Sequence, residues 1–426
     1  MLFLKKKRKM NSDKIFVQIA SYRDPQLIPT IEDMIHKAKE PWNLVFGICW
    51  QYDETEDVDR YDSNPQFRVS KHHYSESQGL GWARNITNTL YAGEKYTLQI
   101  DSHHRFVENW DEVILRDYNQ ALMISDKPVI TTYCTPFDPT KEESTWNPVP
   151  CLMSQYEFSS DRLLMSMPWY IQNYKERKRV IKARTISGHF YFTSGEFIKE
   201  VPYDPEIYFG GYTEETTLSL RAFTHGYDFF SPYQMVMWHE YTRSYRPKHW
   251  DDHGKESETK KTSGERDVYA RNKTRQMFGT QDYGIDLGIY DIGSVRTLHD
   301  YEEYGGFDFK KCIIQDYTLK VNEPPNPLPW EDGFIKKTRT ITCEWDLDFF
   351  KKFEFTKPKF LTFGVMDNKD QELFRKDFTV DKEPQYVNLE NNKFTFELDS
   401  IETPKKIVMF LFDDEKQWSD RYEKTL

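Results

Sequence analysis

The sequence predicts an α/β domain followed by a smaller all-β domain, and three observations carry that expectation. Apolar strand-like runs alternate with helix-period segments through the first quarter of the chain. A proline cluster, Pro324, Pro325, Pro327 and Pro329, punctuates the chain before its last quarter. Beyond it, Arg339 to Trp345, Phe360 to Met366, Phe374 to Val380, Lys393 to Leu398 and Ile407 to Phe412 are short β-type runs at regular spacing. Turn sequences such as Asp367-Asn368-Lys369-Asp370 and Glu390-Asn391-Asn392 separate them. At 426 residues the chain exceeds one ordinary core. The expected division is a basic tail over 1–13, an α/β domain over 14–323, a proline-rich linker over 324–335 and a β-sandwich over 336–426.

Composition narrows the function classes. Hydrophobic residues make up 38% and aromatics 16%, enough for real cores despite a mean hydropathy of -0.79. A net charge of -11 argues against bulk binding to nucleic acid, whose phosphates attract a basic surface. The one clear charge run, Lys5 to Lys9, sits in the N-terminal tail and reads as a solvated segment. No apolar run approaches the roughly 20 residues that span a bilayer, and no signal-peptide pattern follows the basic start. The expectation is a cytoplasmic protein. Five scattered cysteines without a Cys-x-x-Cys pair indicate reduced thiols and neither a disulfide framework nor a zinc knuckle.

Lys14 to Ala20 reads as a parallel strand buried on both faces, because its Ile, Val and Phe do not alternate with polar residues. Ile28, Ile31, Met34, Ile35 and Ala38 then repeat at helical spacing behind Pro29. Leu44 to Trp50 is a second strand, Glu54 to Asp62 an exposed acidic loop, and Phe67 to Ser70 a third short strand. A helix opening at Gly79 stacks Trp82, Ile86 and Leu90, and Tyr96 to Ile100 is the strand that ends at Asp101. Trp110 to Met123 reads as helix, Val129 to Tyr133 as strand and Asp138 to Pro150 as a surface loop. The basic stretch Arg177 to Arg184 leads into a strand-like run over Thr185 to Phe192. A helix over Thr216 to His225 precedes a strand at Met235 to Glu240, and the charged stretch Arg246 to Gln276, which embeds Trp250, reads as a lid.

Chemistry gathers at the strand ends, where open α/β sheets bind ligands. Asp101 and His103 are two residues apart and so can face one side of a strand end. A carboxylate with an imidazole suits Mn²⁺ or Zn²⁺, with phosphate oxygens and water completing the shell. His239, ending a later apolar strand, is the natural third ligand, while His104 should point away. Arg84, at a helix start, can meet a phosphate. Gly210-Gly211 followed by Glu214 and Glu215 lets backbone approach a ligand and aims carboxylates at hydroxyls.

Five segments, in order, carry a resemblance: Ile15 to Pro25 (IFVQIASYRDP), Gly79 to Asn85 (GLGWARN), Leu98 to Phe106 (LQIDSHHRF), Gly210 to Arg221 (GGYTEETTLSLR) and Trp238-His239-Glu240. Together they resemble the polypeptide N-acetylglucosaminyltransferases of the hydroxyproline-modifying type, relatives of the polypeptide GalNAc-transferases. The resemblance spans roughly Lys14 to Asp316. It implies a GT-A (Rossmann-like) fold, a UDP-sugar donor, Mn²⁺ or Mg²⁺, and retaining transfer of GlcNAc or a related sugar to a hydroxyl on a protein or glycan acceptor. It also implies that Asp101, His103 and His239 hold the metal. Ser21, Tyr22, Arg23, Asp53, Arg84 and Ser102 would line the nucleotide site, and Glu214 or Glu215 would hold the donor sugar or acceptor. A non-catalytic carbohydrate-binding protein and a metal-dependent phosphohydrolase are the alternative readings of the same residues.

Overall fold

A computed structural model describes residues 13–208, 212–242, 244–255, 261–334, 337–400 and 402–426. The basic run Lys5 to Lys9 and the Gly210-Gly211 pair lie outside the described residues. The chain divides into two compact units, Met1–Trp330 and Glu331–Leu426.

The first unit begins with repeated strand–helix steps: β1 (Ile15–Tyr22), α1 (Leu27–Lys37), β2 (Leu44–Tyr52), β3 (Phe67–His73), α2 (Leu80–Thr89) and β4 (Tyr96–Asp101). It continues through β5 (His104–Phe106), α3 (Trp110–Leu122), β6 (Pro128–Thr131), β7 (Thr135–Pro136), β8 (Cys151–Phe158), β9 (Leu164–Tyr170), β10 (Ile181–Ala183) and β11 (Phe190–Ser194). Then come α4 (Phe197–Glu200), α5 (Thr213–Thr224), β12 (Asp228–Ser231), β13 (Met237–His239), α6 (His249–Asp252), α7 (Ser263–Met277) and α8 (Leu298–Gly305).

Eight of these strands form one mixed sheet in the order β10-β12-β6-β11-β4-β1-β2-β3. Its β4-β1-β2-β3 part is parallel: α1 makes the crossover from β1 to β2, α2 that from β3 to β4, and the long loop between Tyr52 and Phe67 that from β2 to β3. In β1, Val17 and Ile19 join the core with Leu27, Ile31 and Met34 of α1. Phe16 packs with Val45, Leu90 and Tyr91 in a separate cluster. Alternate residues of β1 thus enter two cores, which explains its unbroken apolar run. Ala20 is in register with both Asp101 and Cys49, so the carboxyl ends of β1, β2 and β4 form one edge.

A second, three-stranded sheet, β5-β13-β7, sits at that edge. Its antiparallel register sets His239 opposite His104. A residue more than a hundred positions later is thereby delivered beside Asp101.

Three segments differ from the sequence expectation. The run Thr185 to Phe192 is not one strand: Ser187 N–H donates to Thr131 Oγ1 and Gly188 N–H to Glu215, so the backbone turns toward the site before β11 begins. Strands β8 and β9 make a separate two-stranded hairpin that the irregular sequence there did not announce. The proline segment is tied into the first unit, with Arg184 donating to Asn326 at 2.7 Å and Trp330 Nε1 to Phe307 O at 2.7 Å. The unit boundary falls between Trp330 and Glu331, within the expected linker range of 324–335.

In the second unit, strands Lys337–Glu344 and Lys393–Ser400 pair with each other. Pro358–Met366 pairs on its two sides with Glu372–Thr379 and Lys406–Asp413. Phe363, fully buried in the second sheet, lies 5.8 Å and 5.9 Å ring to ring from Phe394 and Phe396 of the first, so the two sheets share one core. Among the described residues no helix is long and apolar enough to cross a membrane.

Candidate functional site

Asp101, at the end of β4, is the hub of the cleft. Its Oδ1 accepts from Arg84 Nη2 at 2.7 Å. Its Oδ2 lies 3.3 Å from His239 Nε2 and 3.7 Å from His103 Nε2. The ligand atoms of Asp101, His103 and His239 all lie within 4.8 Å of one another. One oxygen and two imidazole nitrogens at this spacing match the donor set of a borderline divalent cation. His103 Nε2 is buried without a hydrogen-bond partner, an orphaned lone pair that such an ion would satisfy. Burial by itself would raise the Asp101 carboxyl, but His239, Arg84 and His103 hold it well below the usual carboxylate range.

The flank on the His103 side is braced by a second carboxylate. Asp24 Oδ2 accepts from His103 Nδ1 at 2.8 Å and from Ser102 Oγ at 2.6 Å, and Arg246 approaches the same oxygen at 3.3 Å. The proton on Nδ1 leaves Nε2 as a free ligand, the carboxylate–histidine arrangement of many metal sites. This cavity is walled by Ala20, Tyr22, Gln51, Gly79, Leu80 and Asp101 on one side and by Arg246, Lys248, His249 and Trp250 on the other. The second group belongs to the predicted lid. Asp252 of α6 accepts from Tyr22 OH at 2.7 Å and Arg23 Nη1 at 2.9 Å, which fastens the lid to the end of β1. Arg23 adopts φ +45°, a strained conformation for a residue with a side chain, and its guanidinium is also held by Asp53 at 3.0 Å.

The flank on the His239 side is drawn from distant parts of the chain: Arg84, Tyr133, Gly188, His189, Glu214, Glu215 and Tyr241 line it together with Asp101 and His239. Arg84 spans Asp101 and Glu214, the latter at 2.6 Å, and also donates to Tyr203 OH and Gly188 O. A Cβ on Gly188 would sit 2.7 Å from Glu214 Oε2, so a side chain there would displace the Glu214 carboxylate that Arg84 holds. Glu215 accepts from Tyr133 OH at 2.6 Å and Gly188 N–H at 2.9 Å. Burial nevertheless pushes its carboxyl up to about 7. Burial likewise raises Glu214, against the pull of Arg84. It draws His104, His189 and His239 well below the ordinary imidazole range, so all three rings are neutral at pH 7. The His189 ring stacks on His239 at 4.4 Å, and Cys134 N–H donates to its Nε2 at 3.1 Å.

The sequence-selected residues divide accordingly. Asp101, His103 and His239 converge, and Glu214, Glu215, Tyr22 and Ser102 border the two cavities. Arg84 was expected to meet a phosphate; it is instead 2% exposed, with its donors taken by Asp101, Glu214, Tyr203 and Gly188. Ser21 and Asp53 do not wall the cleft: Ser21 is wholly buried because strand alternation aims Ala20 and Tyr22 there instead, and Asp53 acts through Arg23. Asp24, Tyr133 and His189 are participants that no role was read for, and Arg246 was read only as part of the lid. Asp24 alone carried a signal, as the polar residue next to a strand end.

A comparison with curated proteins found no match. Among solved structures, GalNAc-T7 with UDP, GalNAc and Mn²⁺ is similar over 72% of this chain and 56% of its own, at 15% identity and a TM-score of 0.44. S. aureus TarS 1–349 is similar over 53% of this chain and 60% of its own, at 14% identity and a TM-score of 0.33. Its complex with UDP-GlcNAc gives 55% and 60%, at 13% identity and a TM-score of 0.33. The chain thus spans 56% to 60% of the length of these structures' chains, a remote likeness only. The family profile described as Glycosyltransferase (GlcNAc) matches residues 14–64 and 56–311. That match covers well over half of the chain, which therefore belongs to the GlcNAc glycosyltransferase family.

Proposed function

We propose that the protein is a metal-dependent, retaining glycosyltransferase of GT-A type that moves GlcNAc, or a closely related sugar, from a UDP donor to a hydroxyl. Family membership supports the reaction class. The observation that carries the finer reading is the convergence of Asp101, His103 and His239 where two cavities meet. In this reading Asp101, His103 and His239 hold Mn²⁺ or Mg²⁺. The bound cation supplies positive charge beside the diphosphate as the sugar–phosphate bond breaks.

The chain's own residues do the rest. Tyr22, Gln51, His249 and Trp250 form a partly aromatic slot for the nucleoside, and the Asp252 contacts to Tyr22 and Arg23 hold the lid over it and exclude water. Asp24 fixes the tautomer of His103. On the opposite flank Glu215 faces the cavity and is suited to orient a sugar or acceptor hydroxyl, whereas Glu214 is committed to Arg84. Among the described residues Glu215 is held by Tyr133 and Gly188 and Glu214 by Arg84, so neither carboxylate is offered as a nucleophile, and the acceptor hydroxyl attacks from the face the diphosphate leaves. Its proton passes to the departing phosphate oxygen, and configuration is retained.

The test is UDP release from UDP-GlcNAc with Mn²⁺ in the wild type and in Asp101→Ala. A fall of roughly 10² to 10³-fold or more is expected, with the anomeric configuration of the product read by NMR. Unchanged release in the variant would sink the proposal. A two-metal phosphohydrolase is less well supported, because among the described residues only one candidate metal cluster occurs.

A further inference from the structure

The partners of an imidazole decide which of its nitrogens carries the proton, and so which can bind a cation. His103 is set for binding through Nε2, because Asp24 accepts the proton on Nδ1. His239 is set the other way. Its Nε2 lies 3.3 Å from Asp101 Oδ2, and an ionised carboxylate only accepts, so Nε2 carries the proton. Its Nδ1 is then a buried lone pair without a partner. For His239 to bind a cation through Nε2 the proton must move to Nδ1, and a buried N–H there needs an acceptor.

Among the described residues four rings pack on His239. His189 is satisfied at both nitrogens, since Cys134 N–H donates to its Nε2 at 3.1 Å and its Nδ1 meets Ser187 Oγ at 3.1 Å. The Tyr241 hydroxyl is engaged with Cys134 O at 2.9 Å. The free nitrogen of His103 is itself a candidate metal ligand. His104 remains, its ring centre 4.7 Å from that of His239, a separation at which nitrogens turned toward each other are at hydrogen-bond distance. Its Nδ1 donates to Trp238 O at 2.9 Å, so its Nε2 is a lone pair, and that atom too is buried without a partner. The orphaned Glu240 Oε1 is a poorer match, because that carboxylate stands among His103, Asp24 and Arg246 and accepts from Tyr245. Spacing alone aims His104 away from Asp101. The antiparallel register of β5 and β13 instead sets it directly opposite His239, where side chains share one face.

We propose that His104 is a positioning residue of the cation site: its Nε2 accepts the Nδ1 proton of His239 and thereby presents His239 Nε2 as a ligand. The proton moves from one nitrogen to the other of the same ring, so the ring stays neutral and Asp101 Oδ2 loses a donor. The inference rests on the reading of Asp101, His103 and His239 as metal ligands.

The experiment is a Mn²⁺ titration of the full chain without donor, followed by loss of the free-ion EPR signal. Wild type is set against His104→Asn, His104→Gln and Asp101→Ala. Asparagine keeps a donor for Trp238 O but places no acceptor at the Nε2 position. Glutamine carries a carbonyl oxygen to that position and gives up the donor. The expected result is that His104→Asn binds Mn²⁺ about tenfold more weakly or worse, while His104→Gln stays within about threefold of wild type. A residue that only braced Trp238 would give the reverse order. Unmoved affinity in His104→Asn, equal losses in the two variants, or a larger loss in His104→Gln overturns the proposal and leaves the metal reading standing. A wild type that takes up no Mn²⁺, or no more than Asp101→Ala does, refutes the metal reading itself and this proposal with it.

Discussion

The two sides of Asp101 are built on opposite electrostatic principles. On the His103 side the imidazole is backed by the Asp24 carboxylate, and Arg23, Arg246 and Lys248 stand nearby, so the flank is ionic and suited to a charged diphosphate with its cation. On the His239 side burial dominates. The rings of His104, His189 and His239 are neutral, Glu215 titrates near 7, and Arg84 is consumed by Asp101 and Glu214. That flank suits neutral hydroxyls, with donors and acceptors fixed in a low dielectric. Asp101 joins the two because its oxygens are divided, Oδ1 to Arg84 and Oδ2 to the histidines. One carboxylate can thus hold a metal and a buried ion pair at once.

The comparison can be broken most severely at its shared member. Asp101→Ala should abolish UDP release by the margin given above while also freeing Arg84. The next largest effect is expected for Arg84→Met, which leaves Asp101 and Glu214 as uncompensated buried charges; about 3–5 kcal/mol of stability should be lost in urea unfolding. A loss below about 1 kcal/mol would show that water reaches the pair.

Asp24→Asn tests the His103 side alone. Without the carboxylate that fixes its Nδ1 proton, His103 should bind metal about 10–100-fold more weakly. A titration of activity against Mn²⁺ should show the midpoint moving and the plateau largely recovered; an unmoved midpoint would mean that Asp24 does not brace a ligand.

Glu215→Gln sharpens the contrast from the other side. A carboxyl raised to about 7 in the folded protein binds its proton more tightly there than in the unfolded chain, whose value is 4.5. The Glu215 contribution to wild-type stability should therefore fall as pH rises between about 4.5 and 7, and the fall should be about 3 kcal/mol smaller in the variant. Parallel profiles for the two proteins would place Glu215 in solvent.

Much of this was legible in the chain itself. The unbroken apolar runs of β1, β2 and β4 announced buried parallel strands, because a strand covered on both faces leaves no polar side to its pattern. Spacing at a strand end selected Asp101 and His103, although the strand stops at Asp101 and it is the bend over Ser102 and His103 that returns the imidazole to the carboxylate. The hairpin of β8 and β9 was not legible, because its exposed strand mixes Met, Pro, Trp and Tyr without alternation. Nor was the fate of Arg84, since a helix start that can greet a phosphate can equally turn its arginine inward.

The α/β class, the strand ends where chemistry gathers and the Asp-x-His pair are all written in the chain, because they follow from local periodicity and chain direction. Tertiary structure alone decided that Asp24 backs His103, that His189 and Tyr133 join the cleft, and that Arg84 is spent inside it. These pairings cross 55 residues of chain for Cys134–His189 and 119 for Arg84–Tyr203. No local pattern encodes such distances, because burial and charge at those positions are set by whichever elements the sheets bring together.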